Sequence, residues 1–416
     1  MKRIALIYPN NNKSDYKPNK IYEPSGLLGI YNILKKNSNC LFIDCVKDKY
    51  TSSDLVDILK QFNPDFLLLS VHDVREIIEF TKNVIDSMRI FNPNILIIVG
   101  GPGAIHGTVK IANLLNPDYL IKGEGENYFS EFIKNFNPEC MEYEMVDSVK
   151  IINSKYPENM DDIGYERDYS LKKYEYMAMP NLQRGCAGNC IYCTGCGYTK
   201  IRYKSPTIAA NEIEYLRDVH SAECIMPLGP DFTVIPKNAL EIIRELNKRG
   251  VSNLKYIFVT RLDSLCKSIA LNEKEWEHFF NNNTVTFQIG IESFSKEKLV
   301  RLGKYINDNQ YADIQYNLLE GLLDKYNIII NAYFILIDPL STKEEIIGDI
   351  NLIDILLEKY PSKFIVTGKI INYLELYENT RAIEQFGDSK TNDFMNGLVQ
   401  YADEINSSRV LKENKK

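Results

Sequence analysis

Four cysteines crowd between positions 186 and 196 of this 416-residue sequence, and they are its strongest chemical signal. They are Cys186, Cys190, Cys193 and Cys196. Short gaps let thiolate sulfurs converge on the irons of one iron–sulfur cluster. Gly185 and Gly188 permit the tight backbone that such a loop needs. The spacing therefore predicts a metal-binding loop.

Two other uses of these thiolates stay open on spacing alone. The four cysteines could bind all four irons of a cluster, which would make the chain an electron carrier, or they could hold structural zinc. Zinc usually takes two separated pairs of ligands, and this single group does not offer them.

The overall composition is that of a globular protein, with 44% hydrophobic and 25% charged residues. The net charge of −7 argues against broad binding to nucleic acid. No apolar run approaches the roughly 20 residues of a membrane-spanning helix. The apolar stretch of MKRIALIYPN is too short for a signal peptide. We therefore expect a cytoplasmic protein that spans no membrane and has no broad nucleic-acid-binding surface, although a local basic patch could still bind RNA.

Residues 1–137 alternate between strand-like apolar runs and segments with helical spacing. The predicted strands are RIALIYP, CLFIDCV, PDFLLLSV, NILIIVGG and the start of PDYLIKGEGENYF. This alternation is typical of a doubly wound parallel sheet, so we predict a Rossmann-like α/β domain.

Periodicity fades after residue 137, and we predict an ordered connector over 138–176. A second series occupies 177–379, with the strands YMAMPNLQRG, ECIMPLGP, LKYIFVTR, TVTFQIGIES, NIIINAYFILID and SKFIVTGKIIN. Each but the last precedes a helical pattern, which predicts a parallel barrel, complete or partial, with its chemistry at the carboxyl ends of the strands. Residues 380–416 form a predicted helical tail.

The cysteine loop resembles the signature of the radical S-adenosylmethionine (SAM) superfamily. The matching pattern is Cys-x3-Cys-x2-Cys with an aromatic residue, Tyr192, before the third cysteine. The resemblance implies that Cys186, Cys190 and Cys193 ligate a 4Fe-4S cluster whose fourth iron is open to SAM. Reduced by an external flavodoxin- or ferredoxin-type donor, the cluster would cleave SAM to a 5′-deoxyadenosyl radical. Cys196 would be a bystander or a substrate-side thiol.

The fourth predicted barrel strand ends in a further superfamily segment. GIESFSKEKLVRLGK resembles the GxES segment, which implies that Gly290 and Glu292 face SAM and that the Glu292 carboxylate binds the ribose. A carboxylate just past an apolar strand is also well placed to accept hydrogen bonds from ribose hydroxyls. The alternative is a simple helix start capped by Ser293 or Ser295.

Other strand ends supply the remaining SAM-side candidates. VTRLDSL resembles an Arg-x-Asp segment, which makes Arg261 a partner for the SAM carboxylate. PLGPDFT keeps only Gly229 and Asp231 of a segment that contacts the SAM amino group in relatives. FILIDPLSTKEE departs from the adenine-side segment, with Asp338 and Leu340 where glycines are common. The implied fold is a partial (β/α)6 radical SAM barrel.

The resemblance extends to residues 1–137, which look like the cobalamin-binding domain that precedes many radical SAM barrels. PDFLLLS implies that Ser70 approaches the nucleotide tail of the corrinoid. Two glycine turns supply the other candidate contacts, Gly100, Gly101, Gly123 and Gly125. The Asp-x-His-x-x-Gly motif of other cobalamin proteins is absent, and His72 and His106 do not occur in such a setting. A sheet that has lost the cofactor and serves as a scaffold is the alternative.

The leading functional hypothesis is a cobalamin-dependent radical SAM enzyme that functionalises an unactivated carbon, most simply by methyl transfer. A cobalamin-free enzyme of the same superfamily, catalysing epimerisation, cyclisation or rearrangement, is one alternative. A methylthiotransferase-type RNA-modifying enzyme is another; its second cluster would need Cys40, Cys45 and Cys140, which are poorly placed. The expected substrate is a small molecule, a lipid or a peptide, and the sequence identifies no catalytic side chain.

Overall fold

The computed structural model describes residues 1–10, 21–167, 176–193, 200–304, 309–367, 374 and 380–386. They form two compact units. The first comprises Met1–Asn181 and Tyr215–Ala222, and the second comprises Leu182–Glu214 and the described residues from Glu223 onward.

The first unit alternates strands and helices along the chain. Its strands are β1 (Arg3–Tyr8), β2 (Ile21–Tyr22), β3 (Asn39–Asp44), β4 (Phe66–Ser70), β5 (Leu96–Gly100), β6 (Tyr119–Gly123), β7 (Glu144–Val146), β8 (Val149–Ser154) and β9 (Tyr176–Met177). Its helices are α1 (Ser25–Leu34), α2 (Cys45–Asp48), α3 (Ser52–Phe62), α4 (Arg75–Phe91), α5 (Pro102–His106), α6 (Thr108–Leu115), α7 (Glu126–Asn135) and the 3-10 turn Met160–Asp162. Local sequence sets some of these bounds, because Thr51 and Asp54 form a capping box that begins α3.

Seven of these strands form one sheet in the order β3-β1-β4-β5-β6-β8-β7, with only the β7–β8 pair antiparallel. Alternate residues of β4 enter two apolar cores: Leu67 and Leu69 lie in one, Phe66 and Leu68 in the other. The predicted doubly wound fold is confirmed. From β1, the next strand of this sheet along the chain, β3, lies on one side, and β4 and the strands after it lie on the other. In such sheets, ligands bind at the carboxyl ends of the two strands where this change of direction occurs, here β1 and β4.

Part of the predicted connector belongs to the sheet. β7 and β8 both lie within 138–176 and extend the sheet beyond β6. β7 is an exposed edge strand, with two of its three residues open to solvent, so it carries no apolar run. Periodicity therefore could not reveal it.

The second unit is also built from strands and helices in alternation. Its strands are β10 (Gln183–Arg184), β11 (Arg202–Tyr203), β12 (Cys224–Ile225), β13 (Lys255–Thr260), β14 (Thr284–Glu292), β15 (Ile329–Phe334) and β16 (Phe364–Val366). The helices that begin in it are α8 (Pro206–Asp218), α9 (Pro236–Lys248), α10 (Leu262–Leu271), α11 (Glu273–Asn282), α12 (Lys296–Arg301), α13 (Asn309–Lys325), α14 (Lys343–Lys359) and α15 (Arg381–Phe386). Strands β12 to β16 form a parallel sheet in chain order, as a partial barrel requires.

The first predicted barrel strand, YMAMPNLQRG, is not part of this sheet. Its first residues form β9, which pairs with β2, and its last form β10, which pairs antiparallel with β11. Pro180 lies between them and has no N–H to donate to a strand ladder. Over the described ranges, the sheet therefore has five strands rather than the six predicted.

Among the residues described, no helix is both long and apolar enough to cross a membrane. Of the predicted helical tail, residues 387–416 lie outside the described part of the chain.

Candidate active site

The cysteine loop follows β10, and two of its thiols flank Gly188. A Cβ atom at Gly188 would lie 3.2 Å from Cys186 Sγ and 3.8 Å from Cys190 Sγ. The Gly188 amide donates a hydrogen bond of 3.2 Å to Cys186 Sγ. Burial raises the pKa of the Cys186 thiol to about 11. Metal binding would therefore have to displace this proton, as it does at other thiolate sites.

The third predicted ligand, Cys193, is half-buried in the same loop. Within the described part of the chain, no three His, Cys, Asp or Glu side chains converge closely enough to hold a metal ion. A cluster separates its thiolates more than a single ion does, because each binds a different iron. Cys196 lies outside the described residues.

The loop is anchored by its own backbone. The Ile191 amide donates to the Leu302 carbonyl at 3.1 Å, and the Ala382 amide donates to the Ile191 carbonyl at 3.0 Å. Gly303 has φ of +70°, and a Cβ there would lie 2.6 Å from the Asn189 carbonyl oxygen. The segments after α12 and at the start of α15 thus hold the cysteine loop in place.

Glu292 ends β14 and points at this loop. The Tyr192 hydroxyl donates to Glu292 Oε1 at 2.7 Å, and Lys304 Nζ lies 3.0 Å from the same oxygen. Burial, and then the neighbouring Glu292 charge, raise the pKa of Tyr192, so its hydroxyl remains a donor. Glu292 and Lys304 are each 6% exposed. The structure therefore joins the two predicted residues Tyr192 and Glu292.

The backbone around Glu292 is unusual. Glu292 has φ of +65°, a left-handed conformation that non-glycine residues rarely adopt. The β14–β15 register shifts between Gly290 and Glu292, which marks an irregularity of the bulge type. A Cβ atom at Gly290 would lie 2.9 Å from Lys304 Nζ and would collide with the Glu292 carboxylate. Gly290 therefore leaves room for the Glu292–Lys304 pair.

Arg261 immediately precedes α10 and also reaches the cysteine loop. Its Nη1 lies 3.8 Å from Cys190 Sγ, and its Nη2 donates to the Lys304 carbonyl at 2.8 Å. Its Nε donates to Asp263 Oδ1 at 3.0 Å. The predicted partner of the SAM carboxylate thus lies beside a candidate cluster ligand.

Asp231 is 1% exposed and is held by neighbouring donors. Its Oδ1 accepts from the Thr233 amide at 3.1 Å and from the Thr260 and Ser264 hydroxyls at 3.0 Å each. Burial raises the pKa of Asp231, and these hydroxyls oppose that shift. The bonds tie the loop after β12 to the end of β13; contact between Asp231 and the SAM amino group stays a prediction.

Gly229 packs closely against β10. A Cβ atom there would lie 2.9 Å from the Gln183 carbonyl oxygen. The Gln183 side-chain oxygen is buried and has no hydrogen-bond partner among the residues described. An acceptor without a donor therefore lies beside one of the predicted SAM contacts.

The helix-capping alternative for the GxES segment is correct for one residue. The Ser295 hydroxyl accepts from the Lys298 amide and caps α12, whereas Ser293 donates to Asp349 at 2.5 Å. Asp338, where relatives often have glycine, is fully buried and pairs with Arg301 at 3.0 Å. Capping therefore coexists with the Tyr192–Glu292 contact.

Lys304 is the site residue that sequence reasoning missed. It lies 12 positions after Glu292, beyond α12, so no helical or strand spacing connects the two. The only signal was its place at the end of the GIESFSKEKLVRLGK segment.

In the first unit, the predicted corrinoid contacts lie at the carboxyl edge of the sheet. Ser70 ends β4, paired in register with Gly100 of β5. Gly101 has φ of +94°, and a Cβ there would lie 2.7 Å from Ser70 Oγ. The structure therefore brings together Ser70, Gly100 and Gly101.

Gly123 and Gly125 follow along the same edge. Gly123 ends β6 with φ of +112°, and a Cβ there would lie 2.5 Å from the Ser154 carbonyl oxygen. A Cβ at Gly125 would lie 2.9 Å from the Ile30 side chain. Local packing thus already explains why both positions are glycine, and their contact with a ligand stays a prediction.

Two histidines lie at this edge, His72 after β4 and His106 at the end of α5. The Tyr8 hydroxyl lies 3.4 Å from His72 Nε2. Burial, and then the charge of His106, lower the pKa of His72; burial likewise lowers the pKa of His106, against an opposing effect of Asp73.

One known protein family matches a stretch of the chain that lies mostly in the second unit. Residues 181–353 match the model of the radical SAM superfamily. That superfamily uses a 4Fe-4S cluster and SAM, which fits the cysteine loop and the strand ends described above.

Curated relatives cover most of the chain at low identity. A protein of Pyrococcus horikoshii named as an uncharacterized methyltransferase is 23% identical over 83% of this chain and 76% of its own length. An anaerobic magnesium-protoporphyrin IX monomethyl ester cyclase of Cereibacter sphaeroides is 22% identical over 71% of this chain. The chain spans only 51% of that cyclase, about half its length.

A solved structure shares the fold of both units. The cobalamin-dependent S-adenosylmethionine radical enzyme OxsB, with aqua-cobalamin bound, superposes with a TM-score of 0.72 and 16% identity. The match covers 92% of this chain and 60% of OxsB. The chain is therefore an enzyme with a radical SAM domain over residues 181–353, and its N-terminal unit has the fold of the cobalamin-binding type.

Proposed function

We propose that this chain is a cobalamin-dependent radical SAM enzyme that functionalises an unactivated carbon, most simply by methyl transfer. The observation that carries the proposal is the Tyr192–Glu292 hydrogen bond of 2.7 Å, because it joins the cysteine loop to the strand end expected to bind SAM. The activity of the whole protein, its substrate and its partners belong to this proposal.

Cys186, Cys190 and Cys193 would hold the cluster. Thiols in this number suit three of its four irons, and the lack of a side chain at Gly188 leaves space between the first two sulfurs. With SAM bound, the cluster would supply the 5′-deoxyadenosyl radical. The protein's task is to hold the loop and exclude water, which the anchoring of Ile191 serves.

SAM would be bound by the strand ends around this loop. Glu292 offers a carboxylate to the ribose hydroxyls, with Gly290 leaving space beside it, and Tyr192 fixes its orientation. The Gln183 side-chain oxygen next to Gly229, which has no hydrogen-bond partner among the described residues, offers an acceptor for the amino group. Arg261 and Asp231 remain the other proposed contacts, for the carboxylate and the amino group.

Cobalamin would bind at the carboxyl edge of the first unit's sheet. Ser70, Gly100 and Gly101 lie next to the chain reversal between β1 and β4, where doubly wound sheets bind ligands. No hydrogen bond joins the Ser70 hydroxyl to another described residue, so it can serve a ligand. Gly123 and Gly125 would complete the contacts along that edge.

A cobalamin-bound cyclase or a cobalamin-free enzyme is the second candidate. Relatives named as magnesium-protoporphyrin monomethyl ester cyclases support ring formation as the outcome. The methylthiotransferase type is disfavoured, because Cys45 lies in the core on one face of the sheet, while Cys40 and Cys140 pack on the other. Those thiols cannot share one cluster without rebuilding the sheet.

The proposed partners follow from this chemistry. An external donor of the flavodoxin or ferredoxin type would supply the electron, and the substrate would be a small molecule, a lipid or a peptide. We expect the reaction to take place in the cytoplasm.

Corrinoid content after anaerobic purification from cobalamin-replete cells tests the proposal. We expect about one corrinoid per chain, lost in Ser70→Leu and kept in Ser148→Leu, a control at an exposed turn between β7 and β8. A corrinoid-free protein that still cleaves SAM would contradict cobalamin dependence and favour epimerisation or cyclisation without cobalamin.

A further inference from the structure

We infer that Arg261 and Asp263 together set the reduction potential of the cluster, through opposite charges next to Cys190. This inference rests on the proposed function, because it requires a cluster on the cysteine loop. It assigns Arg261 a role toward the cluster that does not depend on SAM.

The guanidinium of Arg261 lies over the first part of the cysteine loop. Its Nη1 is 3.8 Å from Cys190 Sγ. The same nitrogen would be 3.4 Å from a Cβ atom at Gly188, the residue that separates the first two cysteines. The positive charge is therefore next to two of the three candidate ligands.

Two contacts fix this orientation. Arg261 Nη2 donates to the Lys304 carbonyl at 2.8 Å, and Nε donates to Asp263 at 3.0 Å. The Arg261 and Asp263 side chains are each only 15% exposed. Water and salt therefore screen their charges weakly.

The other charged groups near Arg261 have further polar partners, and one of them, Asp231, also accepts from the Arg261 amide at 3.4 Å. Lys304 faces Glu292 at 3.0 Å, and Asp231 is held by the Thr233 amide and by hydroxyls of Thr260 and Ser264. Asp263 is the carboxylate that pairs directly with the Arg261 guanidinium. Arg261 and Asp263 thus form a matched pair of opposite sign at this side of the loop.

The charge of each residue predicts the sign of its effect. Reduction adds one electron to the cluster, supplied by an external donor of the flavodoxin or ferredoxin type. A nearby cation favours the more negative, reduced form and raises the potential; a nearby anion does the reverse. Loss of the Arg261 charge should therefore lower the potential, and loss of the Asp263 charge should raise it.

The test is a redox titration of the reconstituted protein in the absence of SAM. Electron paramagnetic resonance measures the fraction of reduced cluster at each potential. The variants are Arg261→Gln, Arg261→Lys and Asp263→Asn, each compared at equal iron content. At the potential where wild-type protein is half reduced, Arg261→Gln should show a roughly tenfold lower ratio of reduced to oxidised cluster. Asp263→Asn should show a higher ratio, and Arg261→Lys, which keeps the charge, should stay near wild type.

Two results would overturn the inference. If Arg261→Gln and Asp263→Asn matched wild type without SAM, while Arg261→Gln lost SAM affinity, Arg261 would serve only SAM. If both variants shifted the potential in the same direction, distortion of the loop rather than charge would be responsible. If the Arg261→Gln protein loses its cluster, the direction in which Asp263→Asn shifts the reduction potential still tests the inference. A wild-type protein that binds no cluster would instead refute the proposed function itself.

Discussion

Tyr192 donates a hydrogen bond of 2.7 Å to Glu292, a residue 100 positions further along the chain. The bond links the segment between two cysteines to the end of β14. Lys304 completes the arrangement by facing the same Glu292 oxygen. The cysteine loop and the expected SAM contact are therefore parts of one connected site in the second unit.

Removal of any one of Cys186, Cys190 or Cys193 should abolish cluster binding. Each Cys→Ala variant loses one of the three thiolates expected to bind the irons of the cluster. We expect iron after anaerobic reconstitution to fall close to background, with loss of the charge-transfer absorbance. Cys266→Ala is the matched control, since Cys266 is a half-buried thiol on α10 whose pKa burial raises to about 12. Full iron in a Cys190→Ala protein would show that the ligand set is wrong.

Glu292→Gln should weaken SAM binding while leaving the cluster in place. A hydrogen bond to a charged group contributes about 1.5–3 kcal/mol, so the Kd for SAM should rise on the order of tenfold or more. Calorimetric titration of the cluster-loaded protein measures this. Glu345→Gln is the control, because it removes a carboxylate of the same unit that pairs with Arg301. Equal SAM affinity in Glu292→Gln and wild type would exclude Glu292 from the SAM site.

Lys304→Met should destabilise the second unit, because it leaves the buried Glu292 carboxylate without its cation. Breaking such a pair costs about 3–5 kcal/mol, whereas removing both charges is close to neutral. The double variant Lys304→Met with Glu292→Gln should therefore recover most of the lost stability. Urea unfolding of the cluster-free protein can be followed by the fluorescence of Trp276, the single tryptophan, which is buried in this unit.

A double variant no more stable than Lys304→Met would contradict that reading. The loss would then come from the hydrogen bond of Lys304 to the Gly290 carbonyl and not from an unpaired charge.

Stability of the first unit should fall as the pH drops below about 6.5, the ordinary pKa of histidine. Burial lowers the pKa of His72 in the folded protein. Between these two pKa values the unfolded chain therefore binds a proton that the folded chain does not, and stability is lost on acidification. Hydrogen exchange of the β4 amides, corrected for intrinsic rates, reports the effect.

His72→Asn should reduce this pH dependence, while His278→Asn, at an exposed position on α11, should leave it unchanged. An unaltered pH profile in His72→Asn would mean that other groups cause the acid sensitivity.

Much of the fold could be predicted because its strands are apolar runs with clear bounds, as in β4 and β14. The cysteine ligands could be proposed because their spacing is local. β7 could not be found, since an exposed edge strand lacks an apolar pattern. The split of the first barrel strand at Pro180 was missed because apolar residues continue on both sides of it.

Contacts between residues that are far apart in the sequence limited how much of the site could be predicted. The resemblance of PLGPDFT to a SAM-binding segment predicts that Asp231 contacts SAM, but it could not predict the hydroxyl partners of Asp231, Thr260 and Ser264, which lie about 30 positions later. Lys304 could not be predicted because its side chain contacts Glu292 only in the folded chain, where α12 separates the two residues along the sequence. Chain topology, rather than local pattern, produces both arrangements.

Formation of 5′-deoxyadenosine from SAM is the most direct test of the central claim. The anaerobically reconstituted wild-type protein, reduced with dithionite, should release 5′-deoxyadenosine, and the Cys186→Ala/Cys190→Ala/Cys193→Ala variant should release none. A wild-type protein that carries a full cluster and binds SAM but forms no 5′-deoxyadenosine, with or without added corrinoid, would contradict it.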